Sequence, residues 1–520
     1  MRRRTFTVGG TAALSAAAAA GCSGTAGGSG GGGRAPAGGT ASRTAGRPTA
    51  SAAPADWKAL ARDLDGTLVR PGDADWTVAR QLYNTRFDSL RPAAVAYAAH
   101  TGDVRTVLAH ARAHGVPVAI RNGGHSYAGF SSGDGRLIVD VSRLSAVRAS
   151  GGEAVVGAGA KLIDVYRALA AKGATIPAGS CPTVGVSGLT LGGGHGVVSR
   201  AYGLTCDSLT RAVLVTADGK EITADAEENA DLFWALRGAG NGNFGVVTEL
   251  HFRTHPAPQA VSADLSWPWP RAADVVRAWQ EWGPDQPDEI WSACRLDSTR
   301  GTPSVSVTAL SLGTYGELQN AVDRLADAVG APASGVSLRR RSYRESMEVY
   351  AGCASFDGDE QCHLPGTVPG RSPRGALRRE TYAARSDFFD RSLPEAGVRT
   401  LLDRVAGMRE DSGSVALTAL GGAVNRVDPT ATAFVHRRSR MLAQYVASWD
   451  AGTPGAAARS WLDSTHAAMR SHASGAAYQN YTDPGLKDWR TAYYGPVAAR
   501  LEKLRKRYDP DRFFAYPQGL

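Results

Sequence analysis

The chain has 520 residues, of which 43% are hydrophobic and 21% charged, which is typical of a soluble globular protein with more than one domain. Its formal charge is +9, but the first 55 residues hold six arginines and no acidic residue, so the rest of the chain carries only +3. The basic charge therefore belongs largely to the N-terminal tail, and we expect no nucleic-acid partner.

The first 22 residues indicate an export signal. Arg3-Arg4-Thr5-Phe6 resembles a twin-arginine motif, and the Ala-rich stretch after it is too short and too weakly apolar to anchor the chain in a membrane. Ala19-Ala20-Gly21-Cys22 fits a lipobox that would lipidate Cys22, and a plain signal peptide cleaved nearby is the alternative. Residues 23–55 lack periodicity, which predicts a flexible tether. We expect an exported protein, extracellular or lipid-anchored at the outer face of the cell membrane.

The pattern of apolar residues predicts two kinds of structure in turn. Short strands at 116–120, 137–141 and 154–157 are predicted to alternate with helices at 101–114 and 163–172. Beyond residue 258, half-buried strands such as 304–310 and 443–449 are predicted to alternate with helical stretches near 315–329 and 394–408. The second pattern is typical of an antiparallel sheet backed by helices. Together the two patterns predict a fold of the α+β class.

The cysteines fall into groups. Cys353 and Cys362 enclose eight residues rich in Asp, Glu and Gly. In an exported protein, so short a polar loop favours a local disulfide over two free surface thiols. Cys206 and Cys294 fit small buried apolar residues. We expect no metal site in this chain.

Several glycine-rich or aromatic motifs follow one another along the chain. They are Arg121-Asn122-Gly123-Gly124-His125-Ser126, Gly179-Ser180-Cys181-Pro182-Thr183-Val184-Gly185, Gly192-Gly193-Gly194-His195-Gly196, the run from Arg237 to Gly245, Gly421-Gly422-Ala423-Val424-Asn425-Arg426 and Tyr478-Gln479-Asn480-Tyr481-Thr482-Asp483. Glycine lets backbone N–H groups approach a phosphate without a Cβ clash, so the loop 122–126 is a candidate cradle for a pyrophosphate. The fingerprint Gly-x-Gly-x-x-Gly is not used here, because its strand–loop–helix context is absent.

These motifs together resemble those of the berberine-bridge-enzyme-like flavoprotein oxidases, within the wider group that shares a vanillyl-alcohol-oxidase-type (PCMH-type) FAD domain. The resemblance runs from about Arg86 to the last residue. It implies a two-part FAD-binding domain, residues 56–257 and 470–520, with a substrate-binding domain of antiparallel sheet and helices, residues 258–469, inserted between the parts. It also implies FAD attached twice, to His125 through the 8α-methyl group and to Cys181 through C6 of the isoalloxazine ring.

The resemblance implies further residues around the flavin. Cofactor contacts are expected from Arg121, Asn122, Gly123, Gly124, Ser126, Gly185, Gly188, Gly192, His195, Gly245, Val247 and Asn480. Val184 matches a position where relatives with a small residue let O2 reach the flavin, which favours an oxidase, and simple packing is the alternative. His195 faces the substrate or serves as a structural hydrogen-bonding group.

Oxidation of an alcohol requires a base for the hydroxyl proton, and a phenolate serves if its neighbours lower its pKa. Tyr481 is the predicted catalytic base by its place in Tyr-x-Asn-Tyr-x-Asp, with Tyr478 as helper or alternative. On an extended strand the two side chains would point to opposite faces, whereas a bend at Asn480 would let both reach the ring. Relatives often carry a second catalytic residue on the strand before Gly421. Here only Thr418 is polar on that strand, and it is no proton acceptor, so the second residue stays unassigned.

The function predicted from these residues is an exported FAD-dependent oxidase. Its substrate would be an alcohol or hemiacetal of a small molecule, carbohydrate or glycoside-like, oxidised with O2 to give H2O2. Three alternatives remain open at this point: a tailoring oxidase of a secondary metabolite, a dehydrogenase with an acceptor other than O2, and a surface protein that binds flavin without turnover.

Overall fold

The computed structural model describes residues 55–520. The predicted export signal, Cys22 and nearly all of the predicted tether lie outside the described residues. Within residues 55–520, no helix has both the length and the apolar character needed to cross a membrane.

The N-terminal strands form two sheets and a short ribbon. They are β1 (Thr67–Val69), β2 (Ala94–Tyr97), β3 (Val118–Arg121), β4 (Leu137–Asp140), β5 (Val147–Ser150), β6 (Glu153–Gly157), β7 (Ala174–Thr175), β8 (Leu209–Val215), β9 (Glu221–Asp225), β10 (Val246–Arg253) and β11 (His255–Pro256). The first sheet has the order β1-β2-β4-β3, in which β2, β4 and β3 are parallel. The second is antiparallel, with the order β5-β6-β10-β8-β9, and β7 pairs with β11.

The remaining strands form one seven-stranded antiparallel sheet with the order β15-β12-β14-β13-β17-β18-β16. They are β12 (Ala260–Trp267), β13 (Ile290–Thr299), β14 (Thr302–Ser311), β15 (Gly335–Arg341), β16 (Tyr382–Phe389), β17 (Ser412–Ala419) and β18 (Met441–Ser448).

Helices pack on these sheets. They are α1 (Trp57–Arg62), α2 (Trp76–Ala79), α3 (Thr101–Ala113), α4 (Leu162–Ala170), α5 (Val186–Leu191), α6 (Ser199–Tyr202), α7 (Thr205–Ser208), α8 (Ala230–Ala239), α9 (Ala272–Trp282), α10 (Tyr315–Val329), α11 (Tyr343–Tyr350), α12 (Glu395–Ala406), α13 (Ala423–Arg426), α14 (Ala456–Arg470), α15 (Trp489–Tyr494) and α16 (Ala498–Tyr508). Apolar residues of α9, α10, α12 and α14 share one hydrophobic core with the seven-stranded sheet.

The largest hydrophobic core joins the two ends of the described chain. Leu60 and Leu108 near its beginning belong to the same cluster as Leu501 and Leu520 near its end. The domain boundaries themselves remain predictions.

The period of two along a strand gives the seven-stranded sheet two different faces. On β13, Cys294 and Leu296 pack into the core beneath the helices, whereas Ala293 and Arg295 line a cavity on the other side. Gln444 of β18 lies on the cavity side as well. The sheet therefore lines one wall of that cavity with both apolar and polar side chains.

The predicted fold class, α+β, is confirmed. The helices predicted at 101–114, 163–172, 315–329 and 394–408 correspond to α3, α4, α10 and α12, and the strands predicted at 137–141, 154–157, 304–310 and 443–449 to β4, β6, β14 and β18. The strand predicted at 116–120 lies slightly later, at Val118–Arg121, because Pro117 cannot donate to the ladder and Arg121 pairs with Asp140 of β4.

The structure shows where four of the cysteines lie. The structure joins Cys353 and Cys362 in a disulfide, and both residues are buried against Ile163 of α4. Cys206 and Cys294 are buried free thiols, as predicted.

Candidate active site

A cavity of about 400 Å³ lies between the loop after β3, the segment 179–188, the C-terminal segment 478–482 and the inner face of the seven-stranded sheet. It brings together nearly all the site residues predicted from the sequence. Those that line it are His125, Cys181, Arg121, Asn122, Gly123, Gly124, Ser126, Val184, Gly185, Gly188, His195, Gly245, Val247, Tyr478, Asn480 and Tyr481. Gly192 does not line it, because its α-carbon is covered by the Asn480 side chain.

His125 is held from two sides. Its Nε2 lies 2.8 Å from Thr183 Oγ1, and its ring stacks on Tyr83 with centroids 4.0 Å apart. The hydrogen bond occupies Nε2, so an attachment through this ring would use Nδ1. Burial, with a smaller contribution from the charge of Lys161, lowers the pKa of His125 to about 3. The imidazole is therefore neutral at physiological pH, as a nucleophile must be.

The His125 loop and the Cys181 loop touch each other directly. A Cβ atom on Gly123 would lie 2.5 Å from the carbonyl oxygen of Thr183 and 2.6 Å from the backbone nitrogen of Gly185. A Cβ on Gly185 would overlap the Asn122 side chain. At these two positions, glycine permits the approach of one loop to the other, whereas the sequence interpretation had assigned Gly123 to a pyrophosphate cradle and Gly185 to a cofactor contact.

The side chains of Arg121 and Asn122 are engaged within the protein. Arg121 forms a buried ion pair with Asp140 and approaches Tyr97 Oη at 3.4 Å. The Asn122 amide nitrogen donates to Ser187 Oγ at 3.2 Å. A cofactor at this loop would therefore meet chiefly its backbone groups.

Tyr481 and His195 form a hydrogen-bonded pair in the cavity wall. His195 Nε2 lies 2.7 Å from Tyr481 Oη, and the Tyr481 ring stacks on Tyr127 with centroids 5.1 Å apart. Burial raises the pKa of Tyr481 well above its usual value, which is opposite to the lowering that the sequence interpretation required. Burial also lowers the pKa of His195 to about 4. Both groups are therefore neutral at physiological pH, and the phenol can donate to Nε2 when the imidazole carries its hydrogen on Nδ1.

Tyr478 stands beside Tyr481 because the chain turns there. Tyr481 N donates to the carbonyl oxygen of Tyr478 at 2.8 Å, and the two rings meet edge to face at 4.9 Å. Of the two alternatives, the bend is thus observed and the extended strand is not. The Tyr478 hydroxyl accepts from Gly194 N and from Asn480 Nδ2, each at 2.8 Å. The Tyr478 hydroxyl therefore holds the glycine loop 192–196 in position.

Gln444 is a cavity residue that the sequence interpretation missed. Its amide nitrogen donates to Tyr127 Oη at 2.6 Å, and its Oε1 is buried without a hydrogen-bond partner among the described residues. Thr418 lines the same wall on the neighbouring strand β17. Side chains on a strand alternate between its two faces, and Gln444 stands between the core residues Ala443 and Tyr445. This alternation was the feature of the sequence that could have placed Gln444 on the face opposite the core.

The cavity has room for a large cofactor beside His125 and Cys181. Cys181 is a half-buried free thiol in the same wall as His125. Gly188, on α5, also lines the cavity, and a Cβ there would meet no protein atom within 4 Å. The wall is therefore open at Gly188, where any larger residue would fill space available to FAD.

Comparison with known proteins identifies the family. Residues 92–225 match the model described as FAD binding domain, and residues 477–520 match the model described as berberine and berberine like. The chain is 31% identical over 465 residues to an uncharacterized FAD-linked oxidoreductase, YgaK, of Bacillus subtilis, an alignment that covers 88% of this chain and 97% of the relative. This chain belongs to the berberine-like FAD-linked oxidoreductases.

Two further members of this family have more descriptive names. The chitooligosaccharide oxidase of Gibberella zeae is 30% identical over 473 residues, covering 86% of this chain and 91% of that protein. The solved structure of Physcomitrella patens BBE-like 1 is similar with a TM-score of 0.81 and 29% identity, covering 89% of this chain and 98% of that one. The predicted family, the FAD cofactor and the class of FAD-dependent oxidoreductase are thus confirmed.

Proposed function

We propose that this berberine-like oxidoreductase is a carbohydrate oxidase that binds FAD through two covalent bonds, to His125 and to Cys181. The observation that carries the proposal is the hydrogen bond between Tyr481 and His195, which places a proton-accepting pair in the same cavity as both attachment residues. A family member named chitooligosaccharide oxidase supports a sugar as substrate.

The protein's own part in the reaction is proton transfer and orientation. Bound FAD supplies the hydride acceptor. Tyr481 Oη takes the proton of the substrate hydroxyl while its own proton passes to His195 Nε2, so no free phenolate is needed. Oxidation at the hemiacetal carbon of a sugar in this way gives a lactone, and the hydride and proton finally reduce O2 to H2O2.

Two side chains complete the proposed roles. The buried Gln444 Oε1, without a partner among residues 55–520, is suited to accept a hydrogen bond from a sugar hydroxyl. Val184 lines the cavity, and its small side chain would leave a path for O2. Tyr478 is a weaker candidate for the base than Tyr481, since its hydroxyl already accepts hydrogen bonds from Gly194 and Asn480.

Export is also part of the proposal. The twin-arginine-like segment at the N-terminus directs folded proteins out of the cytoplasm, which suits a protein that must load its cofactor first. The disulfide between Cys353 and Cys362 is in keeping with an oxidising compartment. Lipidation at Cys22 and cleavage of a plain signal peptide are the two outcomes that the mass of the mature N-terminus would distinguish.

Peroxide release tests the proposed activity. Purified, flavin-loaded protein would be given a panel of chito-, xylo- and gluco-oligosaccharides, and H2O2 and the oxidised sugar would be measured together. We expect equal amounts of both products with at least one member of the panel. Turnover with an artificial dye but not with O2 would assign a dehydrogenase. Loaded protein that oxidises no sugar with either acceptor would contradict the proposal.

A further inference from the structure

Lys161 is a buried cation that the reaction proposed above does not use. Its side chain is only 4% exposed, and its ammonium group donates to Asn122 Oδ1 at 2.6 Å, Ser142 Oγ at 3.0 Å and the carbonyl oxygen of Gly159 at 3.2 Å. An ammonium group has three donors, and each has an acceptor here. Burying a lysine is costly unless it is fully partnered, so this position has a defined geometry.

The Lys161 side chain reaches the first cofactor loop. Asn122 begins the segment that carries His125, and its amide group is fixed at both ends, by Lys161 at Oδ1 and by Ser187 Oγ at Nδ2. Ser142, a second partner of Lys161, donates to the backbone carbonyl of Asn122 at 3.2 Å. The ammonium group thus sets the position of the residue from which the His125 loop starts.

The backbone around Lys161 is hydrogen-bonded to the loop that carries Cys181. Lys161 itself forms an isolated antiparallel bridge with Gly185. The first turn of α4 follows, where Leu162 N donates to the carbonyl oxygen of Val184 at 3.0 Å and Ile163 N to that of Pro182 at 3.2 Å. These residues belong to the loop that carries Cys181. One residue therefore contacts both loops, through its side chain on one side and its backbone on the other.

We infer that Lys161 is a positioning residue that sets the spacing of the His125 and Cys181 loops, so that both can bond to one flavin. This inference rests on the proposed double attachment. Each attachment joins a protein atom to a flavin carbon, and in each case the side chain (imidazole or thiol) and the flavin carbon lose one hydrogen apiece. The two protons and two electrons pass by way of the flavin to O2, which leaves as one H2O2 per bond. Two bonds to one rigid ring system require that both nucleophiles lie within reach of the ring at the same time. A small displacement of either nucleophile sharply lowers the rate of bond formation.

The test replaces Lys161 by Met, which keeps most of the length of the side chain and removes the ammonium group. Lys172→Met, at an exposed position just after α4, is the matched control. The mass of the intact, acid-denatured protein would be measured by mass spectrometry. A protease digest would then show whether one flavin links the His125 peptide to the Cys181 peptide. For Lys161→Met we expect the share of doubly linked chains to fall about tenfold and singly linked chains to appear. We expect Lys161→Arg, which keeps hydrogen-bond donors, to restore part of that share, and Lys172→Met to match wild type.

The outcomes separate this inference from the proposed function. Wild type without acid-stable flavin would overturn the double attachment and this inference with it. Doubly linked wild type with an equal share in Lys161→Met would overturn only the role of Lys161. If Lys161→Met does not fold, Ser142→Ala decides, because it removes one acceptor and leaves the charge. A smaller doubly linked share in Ser142→Ala supports the positioning role, and an unchanged share overturns it.

Discussion

Replacing Tyr481 by Phe is expected to lower kcat by about 10³-fold, since a positioned general base contributes about 10²–10⁴-fold. The expected change in KM is small, because the ring and its stacking on Tyr127 remain. The effect should appear in the reduction of the bound flavin by sugar under anaerobic conditions, which isolates the step that Tyr481 serves. Stopped-flow absorbance of the flavin measures it directly.

Tyr478→Phe is the control for this assignment. Its hydroxyl accepts hydrogen bonds from Gly194 N and Asn480 Nδ2, so its loss leaves Gly194 N without a partner, while Asn480 Nδ2 keeps its bond to the carbonyl oxygen of Leu189, and we expect a cost of about 1–3 kcal/mol of stability. We expect a lower Tm and a rate of flavin reduction within about tenfold of wild type. The reverse pattern, with slow reduction in Tyr478→Phe and near-normal reduction in Tyr481→Phe, would assign the base to Tyr478.

His195→Gln is expected to lower kcat/KM by about 10²-fold, because the Gln oxygen can accept the Tyr481 hydrogen bond but cannot take its proton. The variant should also change the pH dependence. Burial lowers the pKa of His195 to about 4, so the imidazole is a free acceptor above that pH and becomes protonated as the pH falls through it. Wild-type activity should therefore decline as the pH falls through about 4.

The comparison to make is the profile of kcat/KM against pH for both proteins, with circular dichroism at each pH to show that the fold is intact. We expect the acidic decline to be present in wild type and missing in His195→Gln. A decline of the same midpoint in both proteins would mean that another group is responsible, and that His195 does not receive the proton.

The sequence was sufficient to predict features that depend only on residues close together in the chain. The periodic segments 101–114 and 315–329 form α3 and α10 as predicted, since their apolar spacing and capping residues act within a few residues. Strand β3 ends directly at the loop that carries His125. The motif order was enough to identify the family and its cofactor.

Features that depend on distant segments were not accessible in this way. Gln444 and Thr418 lie in one wall only because β17 and β18 are paired, and no local pattern specifies which face of that sheet meets the cofactor loops. The turn between Tyr478 and Tyr481 was one of two alternatives from the sequence. The raised pKa of Tyr481 was opposite to expectation, because burial by several elements outweighs any local polar neighbour.

Glycines illustrate the same limit. Gly123 and Gly185 were assigned from sequence to contact with the cofactor, and both line the cavity. Their small size is nevertheless required by each other's loop, since a Cβ on Gly123 would meet the backbone of Thr183 and Gly185. A glycine motif shows that something comes close, and only the fold shows what it is.

The most direct measurement is the retention of flavin after denaturation in acid. Wild type, His125→Ala, Cys181→Ala and the double variant would be denatured, washed and examined for flavin absorbance on the polypeptide. We predict that flavin stays with wild type and with both single variants, and is lost from the double variant. Flavin that washes away from wild type would contradict the double attachment and leave, at most, a dissociable cofactor in this cavity.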